Sequence, residues 1–136
     1  MKVFLDANIL FSASDPASAT RRLLDALTRH GEPVTSPHAW EEARTNLAHK
    51  RPRHLPHLAD LRERIIFTHA FAPIQDATLP LHDAPILAAA CGARCTHLWT
   101  GDRRHFGRYY GKTIGGVCVV SGLQLADTLV AAGWRP

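Results

Sequence analysis

The chain has little cysteine. Cys91, Cys95 and Cys118 are the three in 136 residues, an odd number without CxxC spacing, which argues against a disulfide framework. A zinc site on Cys91, Cys95 and His97 is disfavoured too. The two thiols fall on an alanine-rich helical run and its end, where free cysteine packs as a small hydrophobe. Long apolar runs are also missing, none approaching the roughly 18 residues that span a bilayer. Asp6 interrupts the apolar opening "MKVFLDANIL" and no small-residue cleavage site follows. A signal peptide is therefore not expected, no membrane partner is expected, and the cytoplasm is the expected location. A phosphate loop is lacking as well. "GRYYGKT" over 107–113 places three residues between its glycines, where the motif needs four. Repeats, low-complexity tracts and linkers are absent.

What remains is an ordinary globular composition, 46% hydrophobic and 21% charged. The length suits one domain over residues 1–136 with a real core. A net charge of +4 permits a nucleic-acid partner without proving one.

"KVFLD" is short, β-branched and aromatic, and reads as a buried parallel strand. "SDPASATRRLLDALTRHG" reads as a helix capped by Ser14 or Asp15, with Pro16 in its first turn. Leu23, Leu24 and Leu27 form its apolar stripe, and Gly31 ends it. "PVTS" is a second strand. A helix follows with Ser36 as N-cap, Pro37 at its first position, and Trp40, Ala43 and Leu47 on its buried side. "RPRHLPHLADLRERI" resolves into a turn and a short helix. "IIFTHAFAPIQDATLPL" holds short strands or loops that the pattern does not place. "HDAPILAAACGA" is a helix, "THLWTGD" and "GGVCVVS" are strands, and Ser121 caps a closing helix. Alternating strands and helices mean an α/β domain with a mostly parallel sheet.

Two strands end in aspartate, at Asp6 and Asp102. In parallel sheets, ligands bind outside the carboxyl ends of the strands. Asp83 opens a helix and shares the face of Ile86, Leu87 and Ala90. Glu42 lies in the early turns of the helix after the second strand. Each acid has a plainer explanation: helix caps for Asp83, a solvated first-turn acid for Glu42, a turn for Asp102. Asp6 is harder to dismiss, because a strand-end carboxylate in "FLDANIL" has no evident structural task. Clustered carboxylates repel one another unless a cation is present. Their hard oxygens suit Mg²⁺ or Mn²⁺, and such a site activates water for phosphodiester hydrolysis.

These residues resemble PIN-domain ribonucleases. "MKVFLDANIL" is similar to the family's opening strand and its D-x-N. "TSPHAWEEARTNL" is similar to the segment that supplies the second acid. "HDAPILAAACGARCTHLWTGDRRHFG" is similar to the family's later half, where an acid opens an alanine-rich helix and the next strand ends in T-G-D. The ordered set is specific where "FLDANIL" alone is weak, and the resemblance covers essentially the whole chain. It implies a three-layer α/β/α sandwich and metal-dependent cleavage of RNA, with Mg²⁺ or Mn²⁺ as cofactor. The implied acidic quartet is Asp6, Glu42, Asp83 and Asp102. Asp6, Asp83 and Asp102 are the implied metal ligands, and Glu42 positions a second ion or the attacking water. Asn8 matches the polar partner of the first acid and Thr100 the hydroxyl before the last. Glu41 adjoins Glu42. The family pattern favours Glu42, and on a helix the two point about 100° apart, so one faces the metal.

Arg103 and Arg104, beside the last acid, are expected to bind substrate together with Asn8 and Thr100. Lys50, Arg51 and Arg53 form a second basic cluster whose plainer reading is a solvated face. A metal site on His49, His54 and His57 is disfavoured because Pro56 separates the nearest two. A haloacid dehalogenase type phosphatase would want an aspartate where Asn8 stands. Small members of the family resemble VapC-like toxins of toxin–antitoxin pairs, which implies an antitoxin partner and a homodimer. A housekeeping RNA-processing nuclease and a noncatalytic RNA-binding module fit the same residues.

Overall fold

The computed structural model describes residues 1–74 and 84–136. The first strand, β1 (Lys2–Leu5), carries Val3, Phe4 and Leu5 with no exposure. It is the centre of a sheet in which every neighbour of β1 is parallel to it. β2 (Glu32–Thr35) pairs with one edge of β1, so that Val3 lies opposite Pro33. β4 (His97–Trp99) pairs with the other edge, with Val3 opposite His97. β3 (Ile66–Phe67) extends the sheet beyond β2, and β6 (Val117–Val120) extends it beyond β4. A short antiparallel strand, β5 (Thr113–Ile114), closes that edge. The order is β3-β2-β1-β4-β6-β5. The chain builds outward from β1 in one direction and then crosses back to build in the other. That reversal leaves a crevice at the carboxyl ends of β1 and β4, the place where open parallel sheets bind ligands.

Helices cover the sheet as a three-layer α/β/α sandwich. α1 (Ala7–Ala13) begins immediately after β1 and buries Ala7, Ile9, Leu10 and Ala13. It packs on α2 (Ala19–His30) and on α3 (Pro37–Lys50). A single 3₁₀ turn leads into α4 (Leu55–Leu61), where a turn and short helix are expected. Trp40 of α3 meets Phe67 edge-on at 5.1 Å, and the Arg62 guanidinium lies 4.4 Å from the Phe67 ring, bracing α3 against β3.

α5 (Ala84–Gly92) departs from the expected single apolar stripe. Ile86 through Ala90 are buried on every side. The reason is the segment 68–74, which crosses the helix. The Ala72 N–H donates to the Ala88 carbonyl at 3.0 Å, and a Cβ on Gly92 would meet the Phe71 backbone at 2.5 Å. Only glycine permits that approach. α6 (Arg103–Phe106) is a single turn after β4. α7 (Gly122–Ala131) closes the chain with a capping box at Ser121 and Gln124, and packs on α2.

Two boundaries differ from the sequence reading. The apolar residues after Asp6 form α1, which periodicity alone does not announce. The N-cap of α2 is Ser18, whose hydroxyl accepts from the Arg21 N–H at 3.0 Å, and neither Ser14 nor Asp15 takes that place. Those two residues instead close the preceding loop. Ser14 donates to the Phe11 carbonyl, and Asp15 accepts from the Ala17 N–H. Among the described residues, no helix is long and apolar enough to cross a membrane.

Candidate active site

Asp6 does have a structural task, contrary to expectation. It is the N-cap of α1 and accepts from the Ala7 N–H at 2.7 Å. Its other oxygen accepts from the Thr100 hydroxyl at 2.8 Å and from the Asn8 side-chain amide at 3.0 Å. Asp6 is 6% exposed. Burial pushes its pKa above the ordinary value, against three hydrogen bonds that pull it down, and the nearby Glu42 adds to the rise. A capping role and an open face on the crevice coexist in one side chain.

Asp102 is the second strand-end acid and caps α6, its Oδ1 accepting from the His105 N–H at 3.2 Å. Its Oδ2 lies 2.6 Å from His105 Nδ1. Burial alone would raise its pKa. Hydrogen bonds from the His105 ring and backbone outweigh that and hold it below the ordinary value. The two aspartates are therefore tuned in opposite directions across one crevice.

Thr100 and Asn8 tie the two strand ends together. Thr100 donates to Asp6 and accepts from the Asp102 N–H at 3.1 Å. Asn8 donates to Asp6 and accepts from the Gly101 N–H at 2.7 Å. The Tyr110 hydroxyl donates to the Thr100 carbonyl at 2.8 Å and fixes the strand end from behind. Thr100 is fully buried. Its hydroxyl orients carboxylates.

Glu42 comes from α3. Ser36 caps that helix and Pro37 starts it, as expected, and Ala39, Trp40, Ala43 and Leu47 bury one side. Glu42, Asn46 and Lys50 follow one another at intervals of one turn and line the crevice together. Glu41 points elsewhere and is held by Arg44 in a forked contact of 2.8–3.1 Å. Asp6, Asn8, Glu42 and Asp102 thus face one crevice of about 470 Å³, with Phe11, Ile86 and His105 also in its walls. Asp83 lies outside the described residues.

The two arginines that follow Asp102 stand at the rim of the crevice's strand end. Arg103 and Arg104 are exposed. Arg103 lines a neighbouring groove with Trp99 and Tyr110, and Arg104 lines neither cavity. Sequence reading passed over Phe11, Asn46 and Lys50 as crevice residues. The one-turn spacing of Asn46 and Lys50 from Glu42 was the signal available for two of them.

Among the described residues, no group of three His, Cys, Asp or Glu side chains stands close enough to hold an ion. Burial pushes the Cys95 thiol up to about 11, away from the thiolate that a zinc arrangement on Cys91, Cys95 and His97 would need.

No curated protein matches the chain. Among solved structures, VapBC2 from Rickettsia felis, bound to a DNA fragment from its promoter, superposes with a TM-score of 0.62 at 15% identity, covering 89% of this chain and 98% of that one. A PilT N-terminus domain protein from the hyperthermophilic archaeon Sulfolobus solfataricus P2 gives a TM-score of 0.55 at 13% identity, covering 100% and 97%. Identities this low establish a shared fold. A family model, that of the PIN domain, matches residues 2–104, the stretch that runs from β1 to just past Asp102. The chain belongs to the PIN domain family.

Proposed function

We propose that the chain is a metal-dependent endoribonuclease that hydrolyses RNA phosphodiester bonds. The observation that carries this reading is the convergence of Asp6, Glu42 and Asp102 on one crevice at the switch point of the sheet. The donors are all carboxylate oxygens, the chemistry that suits Mg²⁺ or Mn²⁺. Asp6 and Asp102, with Asp83 from outside the described residues, are the proposed ligands. Glu42, facing the crevice from α3, is the proposed positioner of water. A bound divalent ion supplies Lewis acidity and an activated water.

The chain's own residues prepare the site. Thr100, Asn8 and the Ala7 N–H fix the Asp6 carboxylate, so no reorganisation is needed when a cation or phosphate arrives. His105 fixes Asp102 in the same way. Burial of Asp6 beside Glu42 disfavours the charged apo site and thereby favours a positive ligand.

The physiological role we infer is that of the toxin of a toxin–antitoxin pair, with a small antitoxin as partner and a homodimer as the working form. The likeness to VapBC2 supports this choice over a housekeeping nuclease. The test is cleavage of RNA in Mg²⁺ or Mn²⁺ by wild type, Asp6→Asn, Glu42→Gln and Asp102→Asn. Wild type is expected to cut, with each variant reduced at least about 100-fold. Equal cleavage by wild type and Asp6→Asn would sink the assignment, and a wild type that binds RNA without cutting it would favour a noncatalytic RNA-binding module.

A further inference from the structure

The acidic crevice does not end at Glu42. A second hollow of about 520 Å³ opens beside it, walled by Phe11, Lys50, Arg51, Pro52 and Arg53. Phe11 and Lys50 line both cavities, so the two lie side by side. The charge reverses from one to the other. Asp6, Glu42 and Asp102 mark one end, and three cations mark the other.

The second end sets an aromatic ring beside three cations. Lys50, Arg51 and Arg53 are exposed, and among the described residues none of them pairs with a carboxylate, whereas Arg21, Arg44 and Arg64 all do. The fold fixes the backbone that carries these cations. Lys50 ends α3, and the 3₁₀ turn Pro52–His54 pins the chain that carries Arg51 and Arg53. Phe11 sits on α1 between Leu10, which is buried, and Ser12, which is exposed. Its ring packs partly on the core and partly faces both cavities. A half-exposed aromatic flanked by cations is the pattern that holds single-stranded nucleic acid, through base stacking and phosphate contacts. The volume lies within the range of roughly 300–1,000 Å³ that accepts small ligands, enough for a nucleotide unit.

We propose that this hollow is a substrate subsite, holding unpaired RNA nucleotides that flank the scissile bond. One base stacks on Phe11 while Lys50, Arg51 and Arg53 neutralise adjoining phosphates. The subsite rests on the nuclease reading above for its substrate. It also meets a need of that site, because three crevice carboxylates repel the RNA backbone and cations beside them hold the strand against that repulsion.

The test is binding of a short fluorescently labelled single-stranded RNA to the full chain in EDTA, where metal-dependent turnover is blocked, across a salt series. Phe11→Leu keeps apolar packing and removes the ring, and is expected to weaken binding about 5- to 100-fold with an unchanged salt slope. Phe11→Tyr is expected to restore it. The triple variant Lys50→Gln, Arg51→Gln, Arg53→Gln is expected to lower the slope of log affinity against log salt by about 2, the value for three phosphate contacts on a single strand. Thermal melts check that each variant is folded. If wild type cleaves RNA while folded Phe11→Leu and the triple variant bind it as wild type does, the subsite is overturned and the nuclease reading stands. If wild type cleaves nothing while both variants still lose RNA binding, the nuclease reading fails and the hollow stands as an RNA site.

Discussion

At the scale of single residues, the strand-end aspartates were legible from the D-x-N and T-G-D patterns, but their chemistry was not. Asp6 takes its character from burial, and burial depends on how β4 and α1 close around it. The same holds for Thr100, whose hydroxyl is buried against Asp6. Glu41 and Glu42 are told apart in sequence by the family pattern alone, and the Arg44 contact that occupies Glu41 is a feature of the folded helix. The opposite tuning of the two aspartates gives a test in metal-free protein. Asp6 has a folded pKa raised above the ordinary 3.8, chiefly by burial. Its contribution to stability is complete below that ordinary value and is lost as pH climbs through the raised one. Asp102 has a folded pKa below the ordinary 3.8: burial raises it, and the His105 contacts more than offset the rise. Its contribution is present above the ordinary value and is lost as pH falls through the lowered one. Melting temperatures in EDTA from about pH 3 to pH 8 should therefore move in favour of Asp6→Asn relative to wild type as pH rises, and in favour of Asp102→Asn as pH falls. Gaps that stay constant with pH would contradict both assignments.

Whole elements were legible where a cap and an apolar stripe agreed. α3 and α7 begin at Ser36 and Ser121, where the sequence places their caps. α1 was missed because its seven residues follow a strand without a turn and continue its apolar run. α2 begins later than its nearest polar residues suggest, because Ser14 and Asp15 spend their side chains on the loop before it. β3 and β5 have two residues each, too few for any period to register. The caps that were legible should also be measurable. Ser121 accepts from the Gln124 N–H at 3.3 Å, and Gln124 accepts from the Ser121 N–H at 3.0 Å. Ser121→Ala is expected to cost about 1 kcal/mol, a fall of about 4 °C in melting temperature for a domain of this size. Because Ser121 lies outside the acidic crevice, RNA cleavage per folded molecule should not change. A variant that melts like wild type would mean that packing of α7 on α2 carries that helix end without its cap.

On the scale of the whole molecule, alternation of strands and helices announced a parallel sheet, but not the order of its strands. Nothing in local sequence says that β1 lies between β2 and β4, yet that placement brings residues 6, 42 and 102 to one crevice. The family resemblance supplied the grouping that periodicity lacked. A shared crevice of carboxylates has a global consequence that does not depend on turnover. A ligand that binds only the folded chain stabilises it by RT ln(1 + [L]/Kd). For Mn²⁺ at about ten times its Kd this is about 1.4 kcal/mol, a rise of about 5 °C in melting temperature. Wild type should show that rise, and it should reverse on adding EDTA. Asp6→Asn and Asp102→Asn should lose most of it, whereas Ser121→Ala should keep it, because its lesion is remote from the crevice. Ca²⁺ should stabilise less if the site enforces the small, rigid octahedral shell that Mg²⁺ and Mn²⁺ accept. A rise that persists undiminished in both aspartate variants would place the cation elsewhere on the molecule and remove Asp6 and Asp102 from its ligands.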